Sequence, residues 1–231
     1  GVTISVGGEI GEVGKENSNE NELRAYLDNF NECLDKALKG ARTISKVSIQ
    51  TGTTHGGVPG PDGKVIQVNM DFDCLVNLSR ISRDDYGLAG AVQHGASTLP
   101  RELFKKFPEL ETAEIHLATE FQNMIYDHER FPADFKDKIY AHLRKKFASE
   151  KKDADKDEQF IYKTRKKGFG EFKSEFWNLS DDIKSEIGKE LESKMVFLFT
   201  QLKVENTIDI VEKSISPVKI EPNLANEVAA A

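Results

Sequence analysis

The chain has 231 residues, enough for one large domain or two small ones, and its 38% hydrophobic and 31% charged content is ordinary for a globular protein. A net charge of −7 argues against a nucleic-acid partner, because phosphate backbones bind basic surfaces. No apolar run is long enough to cross a membrane, and the first residues lack the features of a signal peptide. Cys33 and Cys74 form no CxxC pair, so we expect free thiols in a reducing cytoplasm.

Strands and helices alternate along the first part of the chain. Short β-branched or apolar runs predict strands over residues 2–6, 46–52, 88–95 and 113–119. Helical periodicity predicts helices over residues 19–38, 71–87, 98–110 and 120–129, and a glycine- and proline-rich loop covers 53–65. Four such strand–helix repeats are typical of βαβ units that form a parallel sheet.

The second part is predicted to be helical. Residues 144–159 are charge-dense and predict an exposed linker or helix end. An apolar stripe after the N-cap candidate Ser180 predicts a long helix, and residues 205–215 predict another. We therefore expect a site-bearing part (1–143), a charged linker with helices packed on it (144–215) and a tail (216–231).

Three candidate ligands each follow a predicted strand and adjoin a glycine, namely Glu9, His55 and His94. The carboxyl ends of neighbouring parallel strands share one edge of a sheet, so these side chains could meet there. Two imidazoles and a carboxylate suit Zn²⁺ and similar divalent ions. The alternative is two hydrogen-bonded strand-end histidines and a glutamate at a helix N-terminus.

The stretch "HGAST", residues 94–98, is a small-residue turn from strand to helix. Such a turn exposes backbone N–H groups to an anion such as phosphate, and Thr119 could add a hydroxyl after the next strand. His116 could face a barrel interior or the site. The basic run at 163–168 could reach an anionic substrate, although a solvated helix face explains it more simply.

The segments "GGEIGEVG", "SIQTGTTHGG" and "AVQHGAST", in this order, resemble the C-terminal half of the class II, metal-dependent ketose-bisphosphate aldolases. The resemblance implies an α/β fold, a TIM (β/α)₈ barrel, of which this chain would supply about the last four βα units and C-terminal helices. It also implies reversible cleavage of a ketose 1,6-bisphosphate, such as fructose 1,6-bisphosphate, into dihydroxyacetone phosphate and glyceraldehyde 3-phosphate. The implied cofactors are Zn²⁺ or another divalent metal, with room for a monovalent cation.

The resemblance also assigns roles to individual positions. It makes Glu16 the nearest candidate for an acid/base group and Arg165 a contact for a phosphate or a sugar hydroxyl. The metal ligands would be Glu9, His55 and His94, and the substrate phosphate would be bound by Gly56, Gly95, Ser97 and Thr119.

Two departures from the family pattern leave other functions open. The segment "HLAT" stands where the family has "N-x-D-T", so His116 and Ala118 replace an asparagine and an aspartate. The register of Glu16 is also open, because "GKENSNE" replaces "G-G-x-E-D". The alternatives are an epimerase-type metal enzyme acting on a sugar phosphate, and a sugar-phosphate-binding or assembly protein without catalysis.

Four predicted strands are half of an eight-stranded barrel. We therefore expect this chain to be the C-terminal portion of a longer protein, paired with the N-terminal half of the barrel. The alternative is a homo-oligomer in which copies cover one another's open sheet edges. A phosphorylated sugar is the expected substrate.

Overall fold

The computed structural model describes residues 4–11, 16–53, 58–60, 65–66, 69–219 and 221. The strands are β1 (Gly7–Glu9), β2 (Lys46–Ile49), β3 (Val58–Pro59), β4 (Val65–Ile66), β5 (Ala91–Gln93) and β6 (Glu114–Ile115). The helices are α1 (Glu20–Ala37), α2 (Phe72–Asp84), α3 (Lys106–Glu109), α4 (Thr119–Asp127), α5 (Ala133–Lys146), α6 (Asp157–Thr164), α7 (Gly168–Glu171), α8 (Lys173–Trp177), α9 (Asp181–Gln201) and α10 (Ile208–Ser214). Short 3₁₀ helices cover Ala96–Thr98, Arg101–Leu103, Ala148–Glu150 and Arg165–Lys167.

A four-stranded sheet in the order β1-β2-β5-β6 organises the first part, and all three of its pairings are parallel. The predicted α/β class with a parallel sheet is therefore confirmed. A separate antiparallel hairpin, β3-β4, occupies part of the stretch predicted as a loop, and that prediction is corrected.

The first strand was predicted too early, since β1 begins at Gly7 and residues 4–6 precede it. The glycines at positions 7 and 8 explain the later start, because β1 lies too close to α1 and to the segment before β2 for a side chain at Gly8. A Cβ added at Gly8 would overlap Tyr26 Oη and lie 2.8 Å from Ile44 Cδ1. Pairing thus starts where the backbone carries no side chain to keep the neighbours apart.

The helix predicted over residues 98–110 is also corrected. The segment instead forms two 3₁₀ turns and the single-turn helix α3. Pro100 directly precedes the second 3₁₀ turn and Pro108 lies within α3. Proline has no N–H to donate, so one continuous helix over this segment would lose backbone hydrogen bonds.

The two faces of the parallel sheet differ in chemistry. Successive side chains of a strand point to opposite faces, and the register aligns like faces of neighbouring strands. One face carries Val47, Ile49 and Ala91, which lie in a buried core with leucines of α1 and α2. We call the other face, bearing Lys46, Ser48, Val92 and Glu114, the polar face.

A second hydrophobic core lies among the later helices and contains Tyr126, Phe131, Ile139, Leu143, Phe160, Ile161, Phe172 and Ile187. The long helix predicted after Ser180 is confirmed as α9, with Ser180 at its N-cap. Of the predicted tail, residues 216–219 and 221 are described and contain no helix or strand. The division of the chain into three parts stays a prediction. No helix of the described residues is long and apolar enough to span a bilayer.

Candidate functional site

Glu9 and His94 meet at the carboxyl end of the sheet. Glu9 is the last residue of β1, and His94 directly follows β5, two strands away. Glu9 Oε1 lies 3.0 Å from His94 Nδ1. The carboxylate side chain is 50% exposed and the imidazole 18%, so the pair is open to a ligand on the carboxylate side. The structure thus brings together two of the three predicted metal ligands.

His55 and Gly56 lie outside the described residues. Thr53, which is described and buried, donates from Oγ1 to the carbonyl oxygen of His94 at 2.8 Å. Gln93 Nε2 donates to the same Thr53 hydroxyl at 2.9 Å. The segment that follows β2 is therefore hydrogen-bonded to the end of β5 and the residue after it.

The turn after β2 is stabilised by its own side chains. Gln50 Oε1 accepts hydrogen bonds from the backbone N–H groups of Thr51 and Gly52, at 2.8 and 2.9 Å. Gly52 has φ +89°, and a Cβ added there would lie 3.0 Å from Asn69 O. Glycine is needed at this turn both for its backbone conformation and for space.

The predicted small-residue turn forms as expected after β5. Gly95 adopts a left-handed conformation with φ +70° and precedes the 3₁₀ helix Ala96–Thr98. The buried Ser97 accepts a hydrogen bond at Oγ from the N–H of Ala118, at 2.9 Å. That contact joins the turn to Ala118, which directly precedes α4. Thr119, which the sequence placed at the end of a strand, is the first residue of α4. The structure therefore brings Gly95 and Ser97 to the segment that enters α4.

His116 is a neighbour of the site that sequence reasoning left unassigned. Its ring stacks on that of His94, with centroids 4.4 Å apart and planes inclined by 24°. His116 Nε2 contacts Glu114 Oε1, and Glu114 Oε2 pairs with Lys46 Nζ. Burial alone would raise the pKa of Glu114, but Lys46 and His116 outweigh it and hold that pKa below its ordinary value. The spacing of Glu114 and His116 is the sequence feature that predicts their contact, because residues two apart in a strand lie on the same face.

Arg165 occupies a different environment from the Glu9–His94 pair. Its side chain is 9% exposed and forms a two-pronged ion pair with Asp127, Nη1–Oδ1 2.7 Å and Nη2–Oδ2 2.9 Å. Nη2 also donates to Asn123 Oδ1 at 2.6 Å. Burial lowers the pKa of Arg165, but Asp127 outweighs it and the pKa is raised. Glu16 is exposed. The proposed roles of Arg165 and Glu16 stay predictions.

The donor types at the site suit a divalent metal. A carboxylate and an imidazole are among the groups that bind zinc in proteins. Among the residues that the structure describes, no group of three histidine, cysteine, aspartate or glutamate side chains could hold a metal ion. The described part of the chain thus supplies a carboxylate–imidazole pair, and the third predicted ligand, His55, falls outside it.

Comparison with known protein families shows what the chain is similar to. The model described as "Fructose-bisphosphate aldolase class-II" matches residues 1–175, which is more than half of the chain. The matched residues include both members of the Glu9–His94 pair, the turn at Gly95 and Ser97, and Arg165. Comparison with curated proteins finds no match.

Proposed function

Since this chain belongs to the class II fructose-bisphosphate aldolase family, we propose that it is a metal-dependent aldolase acting on a ketose 1,6-bisphosphate. The proposed reaction is the reversible cleavage of fructose 1,6-bisphosphate into dihydroxyacetone phosphate and glyceraldehyde 3-phosphate. The observation that carries the proposal is the 3.0 Å contact between Glu9 Oε1 and His94 Nδ1 at the carboxyl end of the sheet.

Glu9, His94 and His55 would hold a divalent ion, for which Zn²⁺ is our proposal. The bond from Thr53 to the His94 carbonyl supports the inclusion of His55, because Thr53 precedes it by two residues. When bound, the ion supplies a Lewis acid for the carbonyl group of the substrate. A monovalent cation near Gly56 is part of the same proposal.

The turn after β5 and the start of α4 would bind one substrate phosphate. Ser97 Oγ accepts the Ala118 N–H, so its own proton is left to donate to an anion. Thr119 opens a nine-residue helix, whose N-terminus favours negative charge. Gly95 would let the phosphate approach the backbone closely.

Glu16 and Arg165 have less support in the proposal. Glu16 is exposed, and we propose that it exchanges a proton with a substrate hydroxyl. Arg165 would bind the second phosphate or a sugar hydroxyl. A substrate would have to compete with Asp127 and Asn123 for the guanidinium, because both already accept its hydrogen bonds.

We further propose that the four parallel strands are part of a TIM barrel. Helices cover one face of the sheet, and the polar face is then the barrel interior. Within the described ranges, β1 and β6 each pair on one side only. The remaining strands would come from another segment of the protein or from a second copy of the chain. The free thiols of Cys33 and Cys74 support a reducing compartment such as the cytoplasm.

The experiment that tests the proposal combines metal analysis with an aldol-cleavage assay. We expect chelation to abolish cleavage and Zn²⁺ to restore it, and we expect His55→Ala and His94→Ala each to lose the bound metal. His128→Ala is the matched control, because His128 pairs with Glu190 on the later helices, Nε2–Oε2 3.5 Å. Stoichiometric metal in both site variants would refute the site. Metal binding without cleavage of any ketose bisphosphate would favour the epimerase or the non-catalytic alternative.

A further inference from the structure

A continuous line of five side chains crosses the polar face of the sheet, in the order Glu9, His94, His116, Glu114, Lys46. Glu9 Oε1 lies 3.0 Å from His94 Nδ1, and the two imidazole rings stack at 4.4 Å. His116 Nε2 contacts Glu114, and Glu114 pairs with Lys46. The line begins at β1, ends at β2 and passes β5 and β6, so all four strands contribute to it.

We propose that His116 is a positioning residue, whose ring fixes the plane of the His94 ring. The direction in which His94 presents a nitrogen to the metal would then depend on His116. This inference rests on the proposed function in one respect, namely that His94 is a metal ligand.

Glu9 and His116 act on different parts of the His94 ring. The contact with Glu9 holds Nδ1, and a contact at one atom does not by itself fix the plane of a ring. His116 lies flat against the ring with only 24° between the planes. Rotation of the His94 ring about its Cβ–Cγ bond would drive the ring edge into His116. Hydrogen-bonding groups that orient a metal-binding histidine raise metal affinity, and a stacked ring would orient His94 by packing.

His116 is itself held by strands rather than by a loop. Glu114 lies on β6 and Lys46 on β2, and β5 runs between them. The Lys46 and Glu114 side chains are 22% and 35% exposed, so the ion pair is partly shielded from water. A partly buried pair between two strands of one sheet is a firmer anchor than an exposed pair. The plane of His116 is therefore set by the sheet.

The test measures Co²⁺ binding to the full chain by its visible absorption, with variants at position 116. Replacing a group that orients a metal-binding histidine typically costs about 10-fold to 100-fold in metal affinity, and we expect that loss for His116→Ala. His116→Phe keeps a flat ring and should recover most of the affinity. His116→Leu fills similar space without a flat ring and should behave like the alanine variant, which matters if His116→Ala fails to fold. His142→Ala is the matched control, because His142 packs edge-on against Phe172 in the second core.

Three outcomes would overturn the inference. If the alanine and leucine variants bind Co²⁺ as tightly as the wild type, His116 does not position His94, and the proposed function stands. If the visible spectrum shows that a nitrogen ligand is lost in His116→Phe, His116 is itself a ligand. If the wild-type chain binds no Co²⁺, the proposed metal site fails and this inference fails with it.

Discussion

Removal of Asp127 should destabilise the protein more than removal of its partner, Arg165. The two side chains form a two-pronged ion pair at 2.7 and 2.9 Å, but their exposure to water is very different. The Arg165 side chain is 9% exposed and the Asp127 side chain 58%. The free-energy cost of breaking the pair therefore depends on which charge is left behind.

The magnitudes follow from that difference. In Asp127→Ala, the guanidinium stays buried beside the rings of Tyr126 and Tyr162, at 5.7 and 5.1 Å. Asn123 still accepts one of its hydrogen bonds, but the counter-charge is gone. Leaving a buried charge without its counter-charge costs about 3 to 5 kcal/mol, and we expect about 3 kcal/mol because Asn123 remains. In Arg165→Met, the carboxylate is solvated by water and the methionine fills the space, so about 1 kcal/mol is expected.

Urea unfolding of the two single variants and the double variant at neutral pH measures these costs. The double variant should be about as stable as Arg165→Met alone, because no buried charge remains in it. An Asp127→Ala variant that is as stable as the wild type, or more stable than Arg165→Met, would refute the reasoning. A rise in KM for the bisphosphate in Arg165→Met would separately support the proposed substrate role of Arg165.

Two further predictions concern the sheet. The folded-state pKa of Glu114 lies below its ordinary value of 4.5, so the ion pair with Lys46 stabilises the fold above about that pH and is lost as the pH falls below it. Glu114→Gln should flatten this acid loss of stability, and equal losses between pH 6 and pH 3 in both proteins would contradict it. Gly90→Ala should cost about 2 kcal/mol or more in thermal or urea unfolding, because Gly90 has φ +127° and the new Cβ would lie 2.7 Å from Ser79 Oγ. Gly40→Ala, at φ +78° with no atom within 4 Å, should cost only about 1 kcal/mol, and a similar cost at both positions would argue against the crowding.

Local sequence patterns predict most of the sheet and the longer helices. The apolar spacing that predicts α1 places Leu23 and Leu27 in the core, and both are fully buried. The run that predicts the second strand contains Val47 and Ile49, which are buried as well. These patterns suffice because an amphipathic segment can bury its apolar side in only one way. These patterns do not predict that β1 starts at Gly7, because that start depends on the close approach of α1 and of the segment before β2.

The same distinction applies to the candidate site, where local patterns predict some contacts and not others. The meeting of Glu9 and His94 follows from their positions at strand ends, because parallel strands direct those ends to one edge. The place of His116 beside His94 depends on the register of β6 against β5, and in that register Val92 pairs with Glu114. The pairing of Arg165 with Asp127 likewise depends on how a 3₁₀ turn packs against α4. Register and packing between distant segments are not encoded in local spacing.

Ala118 shows how this chain could keep one part of the family site while changing another. It stands where the aldolases that the sequence resembles carry an aspartate, and its side chain can neither accept nor donate a proton. Its backbone N–H nevertheless donates to Ser97 Oγ at 2.9 Å, and a backbone contact does not depend on the side chain. The turn that would bind phosphate is thus stabilised whatever residue occupies position 118. A carboxylate can be lost at position 118 without loss of this hydrogen bond, so the turn proposed to bind phosphate does not depend on the side chain at that position.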